Sequence, residues 1–362
     1  MEWTEKIWET KRILMEPVCF AEQDDGSLSG GQLLFPPKAI ESVTSHDCTI
    51  QYQEGRDYAV QNGRLIRTPD SRIPILPRAE YCKVYDGAKE TAWLRLADGN
   101  RYMAISPTVY QYQILVTYTH DAAWEGAIPA DGSAALAHSL KKLQAGGPFN
   151  LLFYGDSITA GWEASGCDEE VINMRDCRAF PLRINRPPYV PSWPELVTRG
   201  LRAAYPQADI RKTNRGAGGS TTVWGVEHAA ELVCPQHPDL VILGFGMNSL
   251  RDPATLYRSQ IEAIIHAIRA EAPECDFLLV SPMVPNTEIA GLAENKLAQQ
   301  EAALWDLAHA ETGITVAPVH EISEELLHRG KTYYELTGNC INHPNDFSVR
   351  LYAQTVLAAL GR

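Results

Sequence analysis

The stretch NLLFYGDSITAG, residues 150–161, decides how the rest of the chain is read. Leu151, Leu152, Phe153 and Tyr154 form a short apolar run of the kind a buried strand presents. Gly155-Asp156-Ser157 breaks the run, and Ile158-Thr159-Ala160 can open a helix. A buried strand that ends in a tight turn at a helix start exposes a hydroxyl and leaves backbone N–H groups facing a developing negative charge. Gly, Asp and Ser equally favour ordinary turns, so the surrounding chain has to decide between the two readings.

Downstream, apolar runs alternate with helical periodicity. Strands are expected at Leu151–Tyr154, Asp209–Thr213, Leu240–Phe245, Phe277–Ser281 and Ile314–Pro318. Helices are expected at Trp193–Ala204, Thr222–Val233, Pro253–Ala270, Leu292–Glu311, Ser323–Arg329 and Asp346–Leu360. This alternation predicts an α/β fold with a parallel sheet covered by helices on both faces. Ligands in such sheets bind beyond the carboxyl ends of the strands. Upstream, the pattern is β-like. Candidate strands are Thr49–Gln53, Tyr58–Gln61, Arg64–Arg67, Thr91–Leu96 and Tyr110–Tyr118, with Asn62-Gly63 as a hairpin turn and Asp98-Gly99-Asn100 as another. Residues 1–145 are therefore expected to form an all-β sandwich or jelly roll, and 146–362 a second domain. A short helix at Ala134–Leu143 would join them.

Composition narrows the class. The net charge of −13 disfavours nucleic acid and anionic membranes as partners. No apolar run approaches the roughly 20 residues of a membrane helix. The first residues lack a basic segment followed by an apolar one, so a cytoplasmic location is expected. None of the eight cysteines forms a C-x-x-C pair; they read as reduced thiols, and no metal or cofactor is expected.

Four rim loops carry chemistry: Gly155-Asp156-Ser157, Asn214 to Thr222, Gly244 to Ser249, and Asn342 to Asp346. A serine hydroxyl needs a neighbouring base to act as a nucleophile, and His343 is the best candidate. Glycine at 219 lets a backbone N–H approach a substrate oxygen closely. The Asn248 amide can donate to the same oxygen, so Ser157, Gly219 and Asn248 would form an oxyanion hole. Each has a plainer use. The glycines could be a flexible turn or a phosphate cradle, although no Lys follows as a phosphate loop requires. Asn248 could cap a helix, and His343 could be one of ten unremarkable histidines. Their joint occurrence on one rim favours acyl transfer.

These blocks resemble the SGNH-type hydrolases, the GDSL esterase and lipase superfamily. Gly155-Asp156-Ser157-Ile158, Gly219 within Asn214-x-Gly-x-Gly-Gly, Gly246-x-Asn248 and His343-Pro344 carry the likeness, which spans roughly residues 150–362. The resemblance implies a three-layer α/β/α, flavodoxin-like sheet, Ser157 as nucleophile, His343 as base, and Gly219 and Asn248 completing the oxyanion hole. The Gly-x-Ser-x-Gly elbow of the other large serine-hydrolase fold is absent, because Thr159 holds its last glycine position. The β region ahead of such a domain is similar to the arrangement in some bacterial carbohydrate esterases. One departure stands out: the superfamily usually has Asp three residues before the His, and here that residue is Cys340. A thiol orients an imidazole poorly. Either a backbone carbonyl orients His343 in a Ser–His dyad, or an acid such as Glu335 or Asp346 is recruited, or the enzyme is weak. Asp346 is also expected to cap the last helix.

The polar stretch 162–192 is long for its place in the fold and suits a pocket wall. Trp162, Tyr189 and Trp193 could offer aromatic surface to a sugar or acyl group, or could pin the loop by packing; Asp156 joins them as a candidate substrate contact. The expected activity is hydrolysis of a short acyl ester, acetyl foremost, of a carbohydrate or related small polar molecule. The alternatives are a glycan-binding protein on a weakened SGNH domain and a lipase or thioesterase. Homo-oligomerisation stays open.

Overall fold

The structure is a computed structural model that describes residues 2–84, 93–99, 101–104 and 109–362. In the N-terminal region, β1 (Arg12–Glu22) lies between the short strand Leu28–Ser29 and the last strand of the region, which in turn pairs with β2 (Ala39–Ser45). Tyr58–Gln61 (β3) and Arg64–Arg67 (β4) form the expected hairpin, with Gln61 opposite Arg64. Asn62 and Gly63 both take positive φ, 51° and 76°, as a turn matching the strand twist requires. Gln113–Thr119 (β5) closes the sheet, antiparallel to both β1 and β2.

Four expectations for this region change, the first being the strand at Tyr110–Tyr118, which begins at Gln113 because Val109–Tyr112 forms a 3-10 turn. Thr49–Gln53 is not a strand; only Gln51 makes a bridge, to Thr44, because Cys48 turns the chain with φ 59°. The helix before the second region runs over Ala137–Ala145 (α1), three residues later than expected at its start. The expected strand Thr91–Leu96 is seen from Trp93 to Arg95. Thr91, Ala92 and Asn100 lie outside the described residues.

The second region holds a five-stranded parallel sheet: β6 (Gly147–Gly155), β7 (Ala208–Gly216), β8 (Leu240–Gly244), β9 (Asp276–Val280) and β10 (Ile314–Ala317). The order β7-β6-β8-β9-β10 puts the first strand inside the sheet. The connections on its two sides therefore diverge, and the carboxyl end of β6 is the switch point where such sheets bind ligands. Leu151 and Phe153 point into one core cluster, and Leu152 and Tyr154 into another. The first side is covered by α2 (Trp193–Ala204), with Trp193, Leu196 and Leu201 buried against the sheet. The second is covered by α3 (Thr222–Leu232), α4 (Ala254–Glu271) and α5 (Leu297–Ala310). The segments α6 (Val319–His328), α7 (Tyr333–Leu336) and α8 (Asp346–Ala359) follow, the last returning to the first side. This is the three-layer α/β/α arrangement, preceded by antiparallel sheet. Among the described residues no helix is long and apolar enough to cross a membrane.

The two regions share a core: Val18 and Val43 belong to the same cluster as Val349 and Tyr352. A buried charge cluster lies at the junction. Lys331 Nζ, fully enclosed, reaches Glu16 Oε1 (3.0 Å), Glu335 Oε1 (3.5 Å) and the Pro17 carbonyl (2.7 Å). A buried charge is tolerated only when paired in this way. The sheet core was expected from the pattern, but β1 was not, because Glu16 and Pro17 interrupt it and the partner of Glu16 lies 315 residues away.

Candidate active site

Three glycines build the floor. Gly155 ends β6 and stands in register with Gly216 on β7 and Gly244 on β8. A Cβ on Gly155 would lie 2.2 Å from the Gly244 carbonyl oxygen, and one on Gly216 would lie 2.3 Å from the Ala160 nitrogen. Only glycine lets the following turn settle this low on the sheet. The turn is then held by its own polar groups. Asp156 accepts the Ile158 N–H (2.9 Å), and Thr159 Oγ1 donates to the Gly244 carbonyl (3.1 Å). Asn214 ties this turn to the next loop, donating to the Thr159 carbonyl (2.9 Å) and accepting the Gly216 N–H (2.9 Å).

Asp156 points inward and is buried. Burial pushes its carboxyl up to about 7, against the opposing pull of backbone N–H groups from Ile158, Met247 and Thr159. Its place is inside the turn, so it does not face a substrate. Trp193 is likewise a core residue: 1% exposed, with its indole N–H on the Ile158 carbonyl (2.8 Å) and its ring against Phe153 and Tyr352. Tyr189 is 54% exposed and takes φ 61° on the long excursion. Trp162 is at the site; its ring meets His343 edge-on, with centroids 5.4 Å apart.

Ser157 Oγ lies 2.9 Å from His343 Nε2. Gly219 is exposed nearby in sequence order on the next loop, with φ 76°, and an added Cβ there would lie 3.8 Å from Met174 Sδ. Asn248 is exposed, and its Nδ2 donates to the Ser220 carbonyl (2.9 Å). That bond anchors the amide beside the Gly219 loop and leaves its second N–H available to a ligand.

The loop of His343 is organised by asparagines. Asn339 Oδ1 accepts the backbone N–H groups of Ile341 (2.9 Å), Asn342 (3.0 Å) and His343 (3.1 Å). Asn286, completely buried, donates Nδ2 to the Cys340 carbonyl (2.8 Å) and its backbone N–H to the Ile341 carbonyl (2.7 Å). Neither asparagine is marked by the four blocks. Asn339 carries a weak signal, an Asn placed two to four residues before the N–H groups it gathers; Asn286 carries none.

No described residue hydrogen-bonds His343 Nδ1. The recruited acids are both committed elsewhere. Glu335 closes a capping box on Thr332, pairs with Lys331 and accepts the Cys19 N–H (3.3 Å). Asp346 accepts the Ser165 N–H (2.8 Å), and the cap of α8 is Asn345, not Asp346: Asn345 Oδ1 takes the Ser348 N–H (3.2 Å). Cys340 sits in the apolar cluster of Cys19, Leu76, Met103 and Tyr334, with φ 62° and its thiol pushed up by burial. A Cys340→Asp variant would set an unpaired carboxyl there. It is expected to lose about 1–3 kcal/mol of stability, read as a lower Tm, and to gain no turnover; a several-fold gain would show that an orienting acid is missing.

Burial lowers the His343 imidazole to about 4, so the ring is neutral at pH 7 and able to accept a proton. All eight cysteines are unpaired. Among the described residues one group, Glu262, His266 and Glu311, brings possible metal donors within 4.8 Å of one another. Glu311 already pairs with Arg269 there (2.8 Å), and the group lies at the opposite end of the sheet from Ser157.

A strand-terminal serine thus meets an imidazole at the switch point of a three-layer sheet. Residues 153–348 match the model of the GDSL-like lipase/acylhydrolase family, and the chain belongs to that family. A comparison with curated proteins finds no match. Among solved structures, the chain is similar to a two-domain esterase active on acetylated mannans, with 22% identity over 65% of this chain and a TM-score of 0.46. The match spans 55% of that esterase's length, little more than half. An acetyl xylan esterase from Geobacillus stearothermophilus is 20% identical over 60% of this chain and 96% of its own, with a TM-score of 0.45. A lipase/acylhydrolase from Enterococcus faecalis is 19% identical over 59% and 96%, with a TM-score of 0.42.

Proposed function

We propose that the protein is a serine esterase that removes a short acyl group, acetyl foremost, from a carbohydrate or related small polar alcohol, using Ser157 and His343 as a dyad. The observation that carries the reading is the 2.9 Å contact between Ser157 Oγ and His343 Nε2. Ser157 Oγ attacks the ester carbonyl carbon while His343 Nε2 takes its proton. The carbonyl oxygen becomes an oxyanion facing the Ser157 and Gly219 N–H groups and the free amide N–H of Asn248. His343 returns the proton to the departing alcohol, leaving an acyl-enzyme, and the same groups then direct water against it. Residues 146–362 supply this machinery, and 1–145 form the accompanying β region. The polar alcohol is supported by the excursion beside the site, where Asp168, Glu170, Arg175, Arg178 and Arg183 are all exposed. The eight unpaired thiols fit a reducing, cytoplasmic setting.

The test compares kcat/KM on p-nitrophenyl acetate, butyrate and octanoate with acetate release from acetylated xylo- and manno-oligosaccharides. The acetyl ester is expected to be the best of the series, and acetate to be released from the sugars. Binding of the sugars with no ester hydrolysis would instead identify a glycan-binding protein, a reading favoured by the lack of a partner on His343 Nδ1 among the described residues. Preference for octanoate would identify a lipase.

The pH dependence follows from burial. His343 must be neutral to act as base, and its folded value is about 4, below the ordinary 6.5. Activity is therefore retained as pH falls through 6.5 and is lost only as pH falls through about 4. A kcat/KM profile for p-nitrophenyl acetate checks this; an acid limb near the ordinary imidazole value would contradict it.

A further inference from the structure

We propose that Gln113, in the N-terminal sheet, is a positioning residue for the loop that carries His343. The proposal rests on the reading of His343 as the base. The loop leaves the sheet region along one leg, Tyr333–Thr337, and returns along another at Pro344-Asn345. The legs meet through a Thr337–Pro344 bridge, a Gly338 N–H bond to the His343 carbonyl (3.0 Å) and an Asn345 N–H bond to the Leu336 carbonyl (3.2 Å). Gln113 is the first residue of β5 and is 4% exposed. Its Nε2 donates to the Tyr334 carbonyl (2.7 Å) and the Thr337 carbonyl (2.8 Å) on the outgoing leg. Its Oε1 accepts Asn345 Nδ2 (3.1 Å) on the returning leg, and that same amide donates to the Glu335 carbonyl (2.8 Å).

One side chain from the β region thus joins both legs at the base of the loop. The chemistry requires such a donor. The four residues of α7 are too few to satisfy their own carbonyls, which are buried at the junction of the two regions. The neighbouring strand residue adds a second hold, because the Cys19 N–H, opposite Gln113 in the sheet, donates to Glu335 Oε1 (3.3 Å). With no carboxylate on Nδ1, the imidazole is placed by its loop together with the Ser157 hydroxyl and the edge-on Trp162 ring. The β region is then part of the scaffold of the site.

Two variants of the full chain test this. Gln113→Leu removes both donors and the acceptor at similar size. Asn345→Asp removes the Nδ2 donor from the other side while keeping the oxygen that caps α8. Both are expected to lower kcat on p-nitrophenyl acetate by about tenfold or more with KM nearly unchanged, since a displaced catalytic group costs turnover rather than binding. Hydrogen exchange followed by mass spectrometry is expected to rise over 333–345 and not over 147–155. Wild-type exchange in that loop, or a rise spread evenly through the chain, would overturn the proposal, as would an unchanged kcat in either folded variant. If Gln113→Leu does not fold, Asn345→Asp decides. An inactive wild type would remove the esterase reading, and the exchange measurement would still decide whether Gln113 braces the loop.

Discussion

Replacing Ser157 with alanine is expected to lower kcat/KM for p-nitrophenyl acetate by about 10⁴-fold or more. Among the described residues the Ser157 hydroxyl has one hydrogen-bond partner, His343 Nε2, and no part in the turn's own network. That network belongs to Asp156, Thr159 and the glycine floor. The substitution therefore deletes one oxygen from a site whose backbone is fixed by other groups, and Tm should move little. Activity and stability separate in this variant: a folded protein with lost turnover is the expected outcome. Residual catalysis would come from the oxyanion donors and from binding, which remain in place. Equal rates in wild type and variant, measured with circular dichroism to verify folding, would remove Ser157 from the mechanism.

Replacing Asn248 with alanine is expected to lower kcat by about 10²–10³-fold, roughly 2.7–4 kcal/mol of transition-state stabilisation, with little change in KM. The reason lies in where the charge forms. The ground-state carbonyl is weakly polar, whereas the tetrahedral oxyanion carries a full charge, so a fixed donor acts mainly on the transition state. Asn248 is fixed by its bond to the Ser220 carbonyl, which holds it beside the loop of Gly219, the other donor we propose. Steady-state kinetics give both parameters. A loss of less than about threefold in kcat, or a loss confined to KM, would place the amide outside the oxyanion hole.

Much of the fold was legible because its signals are local. The five parallel strands and the helices at Trp193–Ala204 and Asp346–Ala359 follow from apolar runs and helical periodicity, and β6 with its closing Gly155 follows from one twelve-residue stretch; the register of Gly155 with Gly216 and Gly244 appears only when the strands pair. The Asn62-Gly63 hairpin was readable for the same reason. What was not readable depends on distant partners. β1 contains a buried Glu16 whose cation is Lys331. Gln113 looks like any polar strand residue until its carbonyl partners at Tyr334 and Thr337 are brought to it. Trp193 and Asp156 show the converse case: residue types that suit a binding wall, turned inward because the turn needs a carboxylate inside it and the sheet needs a large ring over Phe153. Cys340 is a further case, and among the described residues neither the expected backbone carbonyl nor an acid reaches His343 Nδ1. The thiol belongs to an apolar cluster, and Asn339 and Asn286 hold the loop that the missing acid would have steadied.

The central claim is that acyl transfer runs through Ser157. Mass spectrometry of the wild-type protein, acid-quenched during turnover of p-nitrophenyl acetate and digested, tests it most directly. An acetyl group on the peptide containing Ser157, absent in the Ser157→Ala variant, is the predicted result. Turnover with Ser157 unmodified, or with the acetyl group on another residue, would contradict the account.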